Sequence, residues 1–325
     1  MTLKELAALS NVSVSTISKA FSYSKGVSEE TREQIFKIAR EHGCYEQFHK
    51  GKYFKKLIAV ICPEITSENY HRIVTYLSAL ISDMGATMII SISNFDASTE
   101  EAMFSYHAYY QKVDGIIIIG GYAPLRDDHI VPSALIRTSS CDTGTINSIH
   151  CTPSIAVDET IEYLMKMGHR KIAFIGEPLT HKKANLFRSG MKKYALPIRE
   201  EYIVNSEERF EMGGYCAMEK LLALDDRPTA IVFGYDYMAL GAIKCVKDHG
   251  LSVPEDFSFV GMDNIRLLPF LDTPLTSISI HYKTQCELAV EMLKKKMKNI
   301  YHSENHVLQS NLIKRESVKN LKESK

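Results

Sequence analysis

Seven consecutive residues, Ser13-Val14-Ser15-Thr16-Ile17-Ser18-Lys19, hold four hydroxyls and close on an ammonium group. Side chains of these kinds can recognise a nucleic acid. A lysine donates to guanine O6 and N7, a serine hydroxyl donates or accepts, and a valine can meet a thymine methyl. A second such run is EQFHKGKYFKK, residues 46–56. There Lys50, Lys52, Lys55 and Lys56 could neutralise phosphates, while Phe48, Tyr53 and Phe54 could wedge between base steps. The same run also reads as a basic tether whose aromatics pack on the body of the protein. Catalytic spacings are missing from the chain. It has no GxGxxG after the first strand, no GxxxxGK followed by Ser or Thr, no HExxH and no GxSxG. His107, His129, His150, His169 and His181 do not fall at metal-ligand spacings, so neither a metal nor a cofactor is expected, and no enzymatic chemistry is called for.

Short helices must present the first run. Leu3, Leu6 and Ala7 give an amphipathic turn that stops near Ser10-Asn11. Ser13 is a good N-cap for a second helix, with Val14, Ile17 and Phe21 available to pack and Ser15, Thr16, Ser18 and Lys19 on its outer face. Ser28 can cap a third helix that places Glu29 and Glu30 at the positive end of its dipole, buries Ile35, Ile38 and Ala39, and closes at Gly43. The pattern is that of a helix-turn-helix with a supporting helix. Charge points the same way. Residues 1–56 carry ten bases against six acids, a net +4, which leaves −4 on the remainder of a chain whose total is zero. A basic end on a neutral-to-acidic body fits one polyanion-binding module.

The segment TLKELAALSNVSVSTISKAF…GVSEETREQIFKIAREHG, within residues 2–43, closely resembles the DNA-binding headpiece of the LacI/GalR family of bacterial transcription regulators. The resemblance implies that the second helix enters the major groove. Val14, Ser15 and Lys19 would then read base edges, with Ser13, Thr16 and Ser18 near phosphates and Lys50 and Lys52 following in the linker. Family members usually continue into a Tyr-x-Pro-Asn entry and a hinge helix whose leucine opens the minor groove. Cys44-Tyr45-Glu46-Gln47 replaces that entry, no leucine occupies the seam, and Gly51 is a poor residue inside a helix.

From Leu57 onward strand-like runs such as LIAVIC, DGIIIIG, KIAFIG, TAIVFG and FSFVG alternate with helical stretches, among them one near 99–111. Such alternation predicts parallel sheets covered by helices on both faces, divided here between two α/β subdomains. VDGIII, GHRKIAFIG, RPTAIVFGYDYMALGAIK, VPEDFSFVGMDN and PLTSISI resemble the effector-binding core of the same regulators. The implied architecture is an all-α helix-turn-helix headpiece joined to an α/β core of two doubly wound parallel-sheet subdomains, like periplasmic binding proteins. The headpiece would span residues 1–46, the basic linker 47–56 and the core 57–317, with a charged, frayed tail at 318–325. Within the core, the first subdomain would take about 57–152 and 279–304, and the second about 153–278 and 305–317.

A ligand on such a core sits in the cleft beyond the carboxyl ends of the strands. By the resemblance, Arg188 in FRSGM would clasp ligand hydroxyls or a carboxylate, and Asp263 in GMDN would accept from hydroxyls. Tyr235-Asp236 stands where Asn-Asp is usual, Asn69-Tyr70 follows the first strand and Asn94-Phe95 the second, and either Arg209 or Phe210 reaches the cleft. Thr152-Pro153 replaces an Asp-Asn pair that often orients a sugar, which leaves a different effector, or none, as alternatives. The expected partners are a near-palindromic double-stranded operator, a small-molecule effector such as a sugar or sugar derivative, and a second copy of the chain. Seven scattered cysteines, no apolar run of membrane-spanning length and no export signal at the start lead us to expect a cytoplasmic, nucleoid-associated protein with no membrane partner.

Overall fold

The computed structural model describes residues 1–22, 24–49, 56–111, 113–125, 131–138, 146–300 and 304–322. The headpiece is built from α1 (Leu3–Leu9), α2 (Val14–Phe21), α3 (Glu29–Glu41) and α4 (Tyr45–His49). Its first three helices start at side-chain caps. Thr2 and Glu5 form a capping box, and Ser13 and Ser28 accept from the backbone of Thr16 and Thr31. Asn11 takes the left-handed backbone that the tight turn between α1 and α2 needs. Leu6, Ile17, Phe21, Ile35 and Ala39 fill the core. Here α4 departs from the expected linker. Its Tyr45 and Phe48 rings lie 5.8 and 5.7 Å from the Phe21 ring, so the headpiece extends to His49, past the expected boundary at 46, and Phe48 packs inward instead of facing DNA.

Two lobes follow. The first begins with β1 (Leu57–Cys62), α5 (Glu68–Asp83), β2 (Thr87–Ile92), α6 (Ala97–Ser105), β3 (Gly115–Gly120), β4 (Ser133–Arg137) and β5 (Ser148–Thr152). The helix expected near 99–111 changes at its end to a π-turn over Tyr106–Gln111. The second lobe holds α7 (Ser154–Lys166), β6 (Ile172–Gly176), α8 (His181–Lys193), β7 (Ile203–Asn205), α9 (Phe210–Leu222), β8 (Ala230–Phe233), α10 (Asp236–Asp248), β9 (Ser258–Asp263) and β10 (Thr276–Ser279). The chain then returns with α11 (Tyr282–Lys296) and β11 (Asn305–Gln309) to the first lobe, and ends with β12 (Asn311–Ile313) in the second.

Each sheet has six strands among the described residues, in the orders β11-β5-β4-β3-β1-β2 and β12-β10-β9-β8-β6-β7. All pairs are parallel except β10 with β12. Strands such as β3 are apolar and wholly buried because helices cover both faces. The helices α9 and α10 approach until a Cβ on Gly241 would lie 1.7 Å from the Glu211 carbonyl, a closeness only glycine permits.

Two expected boundaries change. The strand β11 pairs in register with β5, Val307 opposite His150, so residues 305–309 complete the first sheet and the crossing to the second falls at Ser310. The tail is docked as far as Lys322. Val318 is buried, the Lys319 amide donates to Ser258 Oγ at 2.9 Å, and the Leu321 amide donates to the Met167 carbonyl at 2.8 Å. No helix among the described residues is long and apolar enough to cross a membrane.

Candidate DNA-binding face and interlobe cleft

The outward side of α2 is the polar face that the sequence predicts. Ser13 Oγ accepts from the Thr16 amide at 3.0 Å and lies 2.8 Å from Thr16 Oγ1, which fixes the start of the helix. Val14, Ser15 and Lys19 are exposed, Thr16 and Ser18 are half-buried, and Ile17, Ala20 and Phe21 hold the opposite side in the core. An exposed valine beside hydroxyls and an ammonium suits a surface that must meet both methyls and polar base edges. Lys50 and Lys52, together with Tyr53, Phe54 and Lys55, lie outside the described residues.

The second site lies where the lobes face each other, at the carboxyl ends of both sheets. It has two connected compartments that share Asn69, Thr138, Lys183 and Asp263. The outer one is aromatic and acidic, lined by Tyr70, Phe95, Tyr122, Phe210, Tyr235 and Tyr237 with Glu64, Glu68 and Glu177. Arg209 spans it. Its guanidinium donates to both oxygens of Glu64 at 3.0 and 2.9 Å, between the rings of Phe95 and Phe210 at 5.6 and 4.6 Å. A second contact between lobes runs from Arg72 to the Asn264 carbonyl at 3.1 Å.

Backbone strain and buried polar groups hold these side chains in place. Phe95, Phe210 and Asp263 all have left-handed backbone, at φ of 63°, 57° and 101°, a conformation kept only where the surroundings enforce it. Tyr235 Oη accepts from the Phe210 amide at 2.9 Å, and burial pushes the Tyr235 phenol up to about 12. The Tyr70 hydroxyl reaches Tyr122 and Thr138 at 3.4 and 3.3 Å, and burial raises its pKa as well. Tyr122 is carried by a loop wrapped on buried Glu100, whose Oε1 accepts from the Tyr122 and Ala123 amides at 2.9 Å each. Burial raises the Glu100 pKa, and the amides partly offset it.

In the inner compartment Lys183 Nζ donates to the Gly234 carbonyl at 2.7 Å and stands 3.8 Å from Asp263, whose carboxyl burial holds above the usual range. Polar groups facing inward from two lobes can orient a small molecule and link its binding to their closure. Among the described residues no cluster of His, Cys, Asp and Glu could hold a metal ion.

Residues 2–45 match the family model described as bacterial regulatory proteins, lacI family, and residues 161–318 match a periplasmic binding protein-like domain. Catabolite control protein A of Priestia megaterium is 30% identical over 296 residues, covering 86% of this chain and 87% of its own. The chain belongs to the LacI family. The transcriptional repressor CytR of Escherichia coli K12 is 29% identical over 290 residues, covering 86% of this chain and 84% of its own. A crystal structure of the lac repressor dimer bound to operator and the anti-inducer ONPF superposes with a TM-score of 0.72 at 23% identity, covering 98% of this chain and 99% of that one, and so shares its fold.

On this LacI-family core the predicted cleft residues separate. Asn69, Tyr70, Phe95, Phe210, Tyr235 and Asp263 line the cavity, and so does Arg209. Three others do not. Arg188 points away into a two-pronged ion pair with Glu200 at 2.6 and 2.7 Å, because on α8 the core-facing position belongs to its neighbour Phe187. Asp236 is wholly buried behind the cleft wall, where it accepts from Ser277 Oγ at 2.7 Å and the Ile265 amide at 2.9 Å. Asn94 is exposed and outside the cavity, in the left-handed turn that brings Phe95 in. The sequence reading missed Glu64, Tyr122, Arg137, Glu177 and Lys183. Their shared signal is position, since the first four follow or close a strand at its carboxyl end and Lys183 opens the helix after one. Thr152-Pro153 lines the inner compartment at a crossing between lobes.

Proposed function

We propose that this LacI-family chain is a sequence-specific transcriptional repressor whose affinity for its operator is set by a small molecule bound between the lobes. The observation that carries the reading is the pairing, in one chain, of an exposed polar α2 face with a cavity lined by both lobes. Ser13, Val14, Ser15, Thr16, Ser18 and Lys19 would meet DNA, with Lys50 and Lys52 following. Asn69, Tyr70, Phe95, Phe210, Tyr235 and Asp263 would meet the effector. It would act as a cytoplasmic homodimer on a near-palindromic site, two headpieces reading two half-sites. An exposed apolar strip on the first lobe supports the dimer. Ile90 and Tyr106 share one groove, and Tyr110 stacks on Tyr106 with ring centroids 6.1 Å apart.

The test is selection of genomic fragments by the purified protein, followed by competition of bound DNA with sugars, sugar phosphates and nucleosides. Equal affinity for selected and random duplex would defeat the operator reading. A monomer at micromolar concentration by light scattering would defeat the dimer. An effector-independent regulator is the second reading. It is favoured by the Arg209–Glu64 pair, which satisfies across the cleft mouth two groups that a ligand could otherwise engage. A ligand panel that leaves both melting temperature and DNA binding unmoved would select it.

A further inference from the structure

The inner compartment of the cleft, a cavity of about 320 Å³, has a chemistry distinct from the aromatic mouth. It is lined from the first lobe by Arg137 at the end of β4 and His150 on β5, and from the second by Lys182 and Lys183 in the first turn of α8. Tyr282 and Gln285, at the start of α11, close it from the crossing between lobes.

Several of these groups lack partners among the described residues. The Arg137 guanidinium makes no hydrogen bond or ion pair there, and its Nε is buried without an acceptor. Lys182 has no carboxylate partner. Gln285 is 3% exposed, yet its side-chain amide is unbonded and faces the cavity. The Tyr282 hydroxyl, by contrast, is buried against the Asp263 carboxyl. Buried donors left unpaired carry an uncompensated desolvation penalty.

Charge adds to this. The first turn of α8 contains two lysines and no acid, so two ammonium groups lie at the end of the helix where the backbone is already positive. Asp263 is the one carboxylate lining the compartment among the described residues, and it is matched by Lys183 at 3.8 Å. Arg137 and Lys182 therefore remain as uncompensated cations on opposite lobes. An anion between the lobes would satisfy both.

We infer that this compartment takes the phosphoryl group of a phosphorylated small metabolite, whose remaining part extends toward the aromatic mouth. This deepens, and rests on, the effector reading above. A phosphoryl group presents three terminal oxygens in different directions, and donors converge from three elements, β4, α8 and α11. A flat carboxylate would leave one of these sets unused. Arginine supplies a fork for two oxygens and lysine a point charge. Because the cations sit on different lobes, the anion that fills the site also draws the lobes together, which gives it the differential affinity for the closed state that regulation needs.

The experiment is titration of the full-length protein with inorganic phosphate at constant ionic strength, with chloride as control, read by melting temperature. Ribose 5-phosphate and glucose 6-phosphate are then compared with ribose and glucose. A saturable rise with phosphate is expected, with midpoints at least tenfold higher in Arg137→Ala and Lys182→Ala, and none of it lost in Arg188→Ala. Lys182 is exposed, so its variant keeps the comparison valid even if Arg137→Ala misfolds. The inference falls if phosphate gives no saturable rise, if both variants respond like the wild type, or if the neutral sugars stabilise as well as their phosphates. A DNA-competition arm keeps the two readings separate. A phosphosugar that binds through Arg137 and leaves operator affinity unchanged supports the subsite and defeats the effector role. A neutral compound that releases or recruits operator while phosphate fails to bind does the reverse.

Discussion

Arg209 grips Glu64 with two hydrogen bonds, at 3.0 and 2.9 Å, and so fastens the second lobe to the first across the mouth of the cleft. The Arg209 side chain keeps 34% of its surface and that of Glu64 12%, so the pair lies between exposed and buried. Losing one partner of a buried pair costs about 3–5 kcal/mol and of an exposed one under about 1 kcal/mol. A double-mutant cycle with Glu64→Gln and Arg209→Gln, read by urea unfolding, is therefore expected to give a coupling of about 1–2 kcal/mol. Additive single effects would mean that the pair does not hold the lobes.

The architecture was legible because its signals are local. Caps at Ser13 and Ser28 and the apolar strand runs at Leu57–Cys62 and Gly115–Gly120 depend only on near neighbours in sequence. The strands β4 and β5 were harder to read, because the ten residues between them, TSSCDTGTIN, carry no helical apolar repeat in sequence, and so no βα alternation marks SALIR or SIHCT. The cleft was half legible. Loops after strands point to Tyr70, Phe95, Phe210 and Asp263, but which side chain of a helix faces inward is set by phase, and one residue turns the direction by about 100°. Arg188 against Phe187 is that case. That Arg137 and Lys183 line one compartment could not be read from sequence, since that compartment arises only where two lobes meet.

Lys19 is exposed in the last turn of α2, on the face opposite buried Ile17 and Phe21. On a selected operator Lys19→Ala is expected to weaken binding by about 1–3 kcal/mol and to relax preference at one base pair, as loss of a base contact does. Binding measured across single-base operator variants checks both parts. A uniform loss at all positions with a shallower salt dependence would assign Lys19 to a phosphate instead.

Among the described residues the Arg188 guanidinium pairs with Glu200, itself 76% exposed. Arg188→Ala is expected to leave ligand affinity in the cleft unchanged and to shift stability by less than about 1 kcal/mol. A tenfold loss of affinity for any compound that binds the cleft would contradict the outward orientation of this side chain.

Phe48 packs on Phe21 inside the headpiece, with ring centroids 5.7 Å apart and its surface half-buried. Truncating a core phenylalanine costs about 3–5 kcal/mol, and a half-buried one about half of that. Phe48→Ala is expected to destabilise the headpiece by about 2 kcal/mol while leaving the bend of bound DNA as it was. Melting followed with the headpiece signal, and electrophoretic bending analysis, separate these effects. A smaller bend with unchanged stability would return Phe48 to the role of a wedge.

Asp236 is wholly buried, and burial, with Asp263 as a nearby negative charge, raises its pKa well above that of a free carboxyl. Lys183 opposes the shift, as do the bonds from Ile265 and Ser277. A carboxyl whose pKa is higher folded than unfolded binds its proton more tightly in the folded protein. Its contribution to stability is then fullest in acid and declines as pH rises from the unfolded value, about 4, through the folded one. Asn cannot titrate. Asp236→Asn also removes a charge that raises Asp263, which flattens the variant's own pH dependence further. The stability lost in Asp236→Asn is therefore expected to be larger at pH 5.5 than at pH 8, measured by urea unfolding at both. A deficit that narrows on acidification would mean that Asp236 is stabilised as a carboxylate, and that its bonds to Ser277 and Ile265 outweigh its burial.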